Sequence, residues 1–118
     1  MNVMEIEFLR KICLAFPGVT EDVKWDHDLV FSVADKMFCA ASIDLPFKIA
    51  FKVTDEEFEI LSERMGFVPA PYLARAKWIA VTDPGVLNRL QWEQYINLSY
   101  HLVKARLPKK TRLDLGLD

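Results

Sequence analysis

A chain of 118 residues is the size of one domain and is long enough to bury a core without disulfides or metal. With 52% hydrophobic, 12% aromatic and 27% charged residues it is globular in composition, which excludes a disordered segment, and its apolar runs are too short to span a membrane. The balance of 15 basic against 17 acidic residues, a formal net charge of −2, excludes nucleic-acid binding by overall charge alone.

The start MNVMEIEFLRKI has no basic region followed by an apolar one, so no secretory signal is expected and the cytoplasm is the expected location. Residues 4–16 place Phe8, Leu9, Ile12, Cys13 and Phe16 on one helical stripe, which Pro17-Gly18 stops. Short extended runs follow over residues 20–25, 29–33, 37–43 and 47–53, separated by turns at 26–28, 34–36 and 44–46; this spacing predicts an antiparallel meander. Alternation is clearest in Phe47, Ile49, Phe51 and Val53, with Lys48 and Lys52 on the other face. Thr54 and Glu57 have the spacing of a capping box, opening a second helix with Phe58, Ile60, Leu61 and Met65 as its apolar stripe and Gly66 beyond its end.

Residues 66–81, GFVPAPYLARAKWIAV, are the least generic stretch: the prolines oppose helix and the run from Trp78 to Val81 suits a strand. After a turn at Asp83-Pro84-Gly85, the residues Trp92, Tyr95, Ile96, Ser99, Leu102 and Val103 recur every three or four positions in a last helix that ends before Pro108. Trp92 and Phe8 are expected to be buried against the sheet. From about residue 108 to 118 the chain reads as a polar, frayed tail. The expectation is a single α+β domain over 1–118, a two-layer arrangement of about five antiparallel strands packed against helices, in the order one helix, three or four strands, helix, one or two strands, helix.

Several stretches together resemble the MmcQ/YjbR-like family: Phe16-Pro17-Gly18-Val19-Thr20-Glu21, Lys36-Met37-Phe38, Pro71-Tyr72 with Lys77-Trp78-Ile79, and Ser99-Tyr100-His101-Leu102-Val103 leading to Leu107-Pro108-Lys109-Lys110. The turn at Asp26-His27-Asp28 lacks the glycine found in many members. The resemblance implies a CyaY/frataxin-like α+β fold and a DNA-binding role, and it brings no catalytic residue.

Candidate chemistry is sparse. Asp26, His27 and Asp28 are adjacent, so on an extended chain they point to alternate faces and do not converge on one ion. Glu5, Glu7, Glu21, Asp22 and Asp26 are scattered acids that leave open a weak, frataxin-like cation site. Cys13 and Cys39 stand in apolar surroundings without a CxxC spacing and read as buried, unpaired, slowly reacting thiols. His101 reads as a helix-surface residue. No nucleophile-base spacing and no glycine-rich phosphate loop is present, so neither an enzyme nor a cofactor is expected.

The C-terminal third is the basic end: residues 75–112 carry eight basic residues against Asp83 and Glu93. Arg75 and Lys77 are two apart, on one face if the chain is extended, between the small Ala74 and Ala76. With Lys48, Lys52, Lys109, Lys110 and the nearby Tyr72 they form the candidate nucleic-acid surface, cations for phosphates and a ring for a splayed base. The expected function is a small binding domain holding DNA weakly and with little sequence preference. The alternatives are a protein or peptide module using apolar groups of residues 67–73, or the weak cation binder.

Overall fold

The structure, a computed structural model, describes residues 5–44 and 46–117. Met4, where the expected first helix begins, Leu45 in an expected turn and Asp118 at the end of the expected tail lie outside the described residues. Helix α1 (Ile6–Leu14) buries Leu9 and Cys13 and sets Phe8, Ile12 and Phe16 against the core margin. Strands β1 (Val19–Lys24), β2 (Asp28–Val33), β3 (Lys36–Ser42) and β4 (Ile49–Lys52) then form the antiparallel meander. Its first two turns work without glycine. Ala34 and Asp35 both take positive φ between the paired Val33 and Lys36, the twist a two-residue hairpin requires, and Trp25 and Asp26 take positive φ in the turn before.

Helix α2 (Asp55–Ser62) is capped by Thr54, whose Oγ1 accepts the Glu57 N–H at 3.2 Å. The expected return bond from Glu57 gives way to another partner: its carboxylate accepts the Tyr95 hydroxyl at 3.0 Å. The expected stripe also narrows. Leu61 is buried and Phe58 packs on the core, whereas Ile60 lies two residues from Phe58 on the opposite side and Met65 lies past the helix end, and both are exposed.

Strand β5 (Phe67–Pro69) and strand β6 (Trp78–Val81) complete a six-stranded antiparallel sheet, one strand more than expected, in the order β1-β2-β3-β4-β6-β5. Gly66, at φ +89, lies so close to Val86 that an added Cβ would sit 2.4 Å from its Cγ1. Helix α3 (Arg89–Ala105) starts with the reciprocal cap: Asn88 Oδ1 accepts the Gln91 N–H at 2.8 Å while Gln91 Oε1 accepts the Asn88 N–H at 2.9 Å.

All the helices that contribute to the main core lie on one sheet face, burying Phe31, Phe51, Ile79 and Val81 beneath Leu9, Leu61, Trp92, Ile96 and Tyr100. Trp92 is fully buried, as expected; Phe8 is half-buried, because its ring faces outward under the Arg89 guanidinium, 4.4 Å from the centroid. The frayed tail is also corrected. Helix α4 (Lys109–Asp114) leads to Leu117, which is buried beside Gly18, its Cδ2 3.2 Å from the place a Cβ would occupy there. A single apolar anchor after a polar helix has no period, so sequence pattern does not reveal it.

Two stretches quoted for the family resemblance have structural duties. Beyond the Cys39–Phe51 pair, β3 and β4 part, and the fully buried Ser99 hydroxyl fills the break, accepting the Lys52 N–H at 2.9 Å and donating to the Phe38 carbonyl at 2.6 Å. Tyr100, absent from the expected stripe, stacks on Phe16 at 4.5 Å and donates its hydroxyl to the Pro17 carbonyl at 2.7 Å, fixing the turn after α1.

Candidate functional site

The sheet face away from the helices is covered only in part, by the segment 70–76. Strand alternation sends Ala40 and Ser42 of β3, Ala50 and Lys52 of β4, and Trp78 and Ala80 of β6 to this side, and the register shift opposite Phe38 brings Met37 to it as well. Ala40 pairs with Ala50 and Ala50 with Ala80, so three methyl-sized side chains lie abreast across three strands and the floor recedes. The recess is a groove of about 480 Å³ with Ala40 and Ala50 beneath, Trp25 and Tyr72 on its walls, and Asp28 and Lys48 among its polar groups. That volume is in the range of small-ligand sites.

Both wall aromatics hold a backbone conformation that bulky residues avoid. Tyr72 has φ +65 with its side chain wholly in solvent, and Trp25 has φ +54 and is 64% exposed. Trp25 stands at the tip of the β1–β2 turn, and Tyr72 in the loop between β5 and β6.

The expected basic surface is brought together only in part. Lys48, just before β4, lines the groove and is exposed. Lys52, four positions on and also on the open face, donates its ammonium to the Ala76 carbonyl, and burial with Arg106 and Lys77 nearby lowers its pKa against the pull of Asp55. Arg75 and Lys77 do not share an extended face. Residues Ala74–Ala76 form a 3-10 turn, closed by Ala76 N–H to Leu73 O at 3.1 Å and Lys77 N–H to Ala74 O at 3.0 Å, and Lys77 is left-handed at φ +62. Arg75 therefore points to solvent, while the half-buried Lys77 lies over the Phe58 ring, 5.0 Å from its centroid. Lys109 and Lys110 open α4, which is tied to the end of α3 by Arg112 Nη1 to Leu107 O at 2.7 Å; among the described residues no contact joins them to the groove.

The groove also uses residues that sequence reasoning passed over. Trp25 read as the end of a strand and Asp28 as part of a turn; Ala40 and Ala50 give no signal until the strand order sets them side by side. Arg106 acts on Lys52 from the end of α3, a neighbour that no spacing announces. The apolar surface of residues 67–73 is smaller than expected, since Phe67 and Ala70 are buried and Val68, Pro69, Pro71 and Tyr72 carry its exposure.

The other candidate groups are occupied elsewhere. Arg10 takes two of the five scattered acids, meeting Glu21 at 2.6 Å and Glu7 at 3.1 Å, and its hydrogen bonds hold the Glu21 carboxyl below the usual range. His27 Nδ1 lies 2.9 Å from Asp44. Among the described residues no group of three or more His, Cys, Asp or Glu side chains is placed to hold a metal ion. Cys13 and Cys39 are both buried and unpaired, and burial pushes the Cys13 thiol up. His101 has its ring edge toward Tyr100, and burial with Lys104 nearby lowers its pKa. No helix among the described residues is long and apolar enough to cross a membrane.

A family model named YjbR matches residues 14–102. Among solved structures, the chain is similar to the Deinococcus radiodurans protein DR2400, a DUF419 domain, with a TM-score of 0.89 and 26% identity, covering 100% of this chain and 92% of that one. A protein from Pseudomonas syringae shares the fold at a TM-score of 0.68 and 21% identity, covering 84% of this chain and 98% of that one. No curated protein matches the chain.

Proposed function

The chain belongs to the YjbR family, and we propose that this member is a small, non-enzymatic binding domain that holds nucleic acid weakly through the open face of its sheet. The observation that carries the reading is a set of uncompensated cations. Lys48 and Arg75 are exposed and, among the described residues, make no ion pair and no side-chain hydrogen bond, while burial first, and then Arg106 and Lys77 nearby, lower the Lys52 pKa against the pull of Asp55. Arg10, by contrast, is compensated by Glu7 and Glu21. Positive charge left without an ion-pair partner attracts a polyanion locally even where the net charge is −2 and Asp28 lines the same groove as Lys48.

Lys48, just before β4, and Lys52 at its end are four residues apart, about 13 Å if the chain is extended between them, so a phosphodiester chain following β4 meets both. Such contacts position a strand without reading its sequence. Lys109 and Lys110 extend the field from α4 but are not part of the central contact. The fold we read as CyaY/frataxin-like and the location as cytoplasmic, in keeping with the family resemblance.

Salt dependence tests the proposal. Affinity for a single-stranded or duplex oligonucleotide, measured by fluorescence anisotropy, should fall with salt, and Lys48→Ala with Arg75→Ala should reduce the log–log slope by about 1.4 to 1.8. Absence of binding to either form at low ionic strength would overturn the reading and turn attention to a protein partner at Val68, Pro69 and Tyr72.

A further inference from the structure

We infer that the groove between Trp25 and Tyr72 receives one unpaired nucleobase and favours guanine, the base that offers a carboxylate two adjacent N–H donors. The inference rests on the nucleic-acid reading above and narrows its ligand to single strands.

Three features converge. The first is strain at Tyr72, whose positive φ persists in bulky residues only where something over-determines it and clusters at ligand clamps, whereas the positive φ of Trp25 belongs to its tight turn. For Tyr72 that something is not core packing, since the side chain is wholly in solvent. The second is the floor. Ala40 and Ala50 leave a flat apolar recess of about 480 Å³ in a position where a water-facing sheet would ordinarily carry polar side chains. In the inferred complex a planar base lies on this floor beside the exposed Trp25 and Tyr72 rings, and stacking tolerates any base, because each has a π-face.

The third feature supplies the preference. Asp28 is the one carboxylate among the groove's lining residues, and its side chain has no hydrogen-bond partner among the described residues. An ionised carboxylate only accepts hydrogen bonds. Guanine presents N1–H and the 2-amino group side by side, whereas thymine flanks its single N–H with two carbonyl oxygens that a carboxylate repels. Lys48, on the same groove, is placed for the phosphate of the bound nucleotide. A duplex offers neither an unstacked face nor a free pairing edge, so it reaches the cations but not the groove.

The test uses an oligothymidylate strand whose central position is guanine, thymine or an abasic site, titrated against the full chain by fluorescence anisotropy. Affinity should fall in that order. Tyr72→Ala should weaken the guanine strand by roughly fivefold to a hundredfold, the effect of losing one base–aromatic stack. Asp28→Asn, which keeps the side chain's shape, should abolish the advantage of guanine over thymine, with the thymine strand bound more tightly than before because the carboxylate that repels its carbonyl oxygens is gone, and a thermal melt should confirm the fold. Equal affinity for the guanine and abasic strands, or a guanine preference that survives Asp28→Asn, would overturn the inference and leave the phosphate reading standing. No binding by any of the three strands would overturn both.

Discussion

The two faces of the sheet are built from the same strands by opposite rules. On the helical side β3, β4 and β6 carry Cys39, Phe51, Ile79 and Val81 into a core closed by Trp92, Ile96 and Tyr100. On the open side the alternate positions of those strands carry Ala40, Ala50 and Ala80. The first is ordinary for a packed face; the second puts a row of alanines where a solvated face usually carries polar side chains. Small apolar residues on an open face give up burial that larger ones would gain from the 70–76 segment, so this side contributes less to stability than it might and keeps a recess instead. The lesson is that core and groove are separated here by strand parity: one step along β4, from Ala50 to Phe51, crosses from groove to core.

The largest effect that would break this comparison lies on the helical side. Trp92→Ala removes a fully buried ring that meets Phe51 edge-on at 6.1 Å and should cost about 3–5 kcal/mol in denaturant melts. Its indole N–H has no partner among the described residues, so the whole loss is one of packing and cavity. Below the lowered melting temperature, oligonucleotide affinity should be unchanged. A parallel loss of affinity in the folded variant would show that the two faces are coupled.

Ser99→Ala is the next largest. The substitution fits the space but leaves the Lys52 N–H and the Phe38 carbonyl without their partner at the break between β3 and β4, and should cost about 1–3 kcal/mol. Because Lys52 carries its ammonium on the other face, this is where the helical layer supports the open one. A stability loss under about 0.5 kcal/mol would mean that the strands close the break without the hydroxyl.

How much of this was legible depends on whether a feature is periodic. The stripes of α1 and α3, the alternation about β4 and the Thr54 cap are local patterns, and the structure keeps them with small changes of boundary. Three features were hidden for three reasons. The stretch Ala74-Arg75-Ala76-Lys77 alternates small and basic residues as a strand does, but two short backbone hydrogen bonds wind it into a turn, and nothing in the side chains announces that. Leu117 is one apolar residue after a polar helix, and its burial depends on Gly18, far away in the chain. The groove floor exists because β3 and β4 pair in the register that sets Ala40 against Ala50; strand pairing is a tertiary fact.

On the open side, single cation losses should barely register in stability. Arg75→Ala removes an exposed side chain with no partner among the described residues, so the melt should move by less than about 0.5 kcal/mol. A larger loss would mean that Arg75 closes the 74–76 turn and is not a free charge awaiting a phosphate.

The smallest stability effect is expected where the functional effect is sharp, at Tyr72. Its side chain is wholly exposed, so truncation removes no buried surface, and its φ of +65 is one that glycine adopts without the steric cost an L-residue bears. Tyr72→Gly relieves that local strain while enlarging the conformational freedom of the unfolded chain, two terms of about 1 kcal/mol each and of opposite sign. The melt should therefore shift by less than about 1 kcal/mol in either direction. The variant also removes one wall of the groove, so single-strand affinity should fall as it does for Tyr72→Ala. A ring that mattered only for folding would behave in reverse: destabilisation well beyond 1 kcal/mol with affinity intact would show that Tyr72 is held left-handed by packing, and that the open face owes its shape to the loop rather than to a ligand.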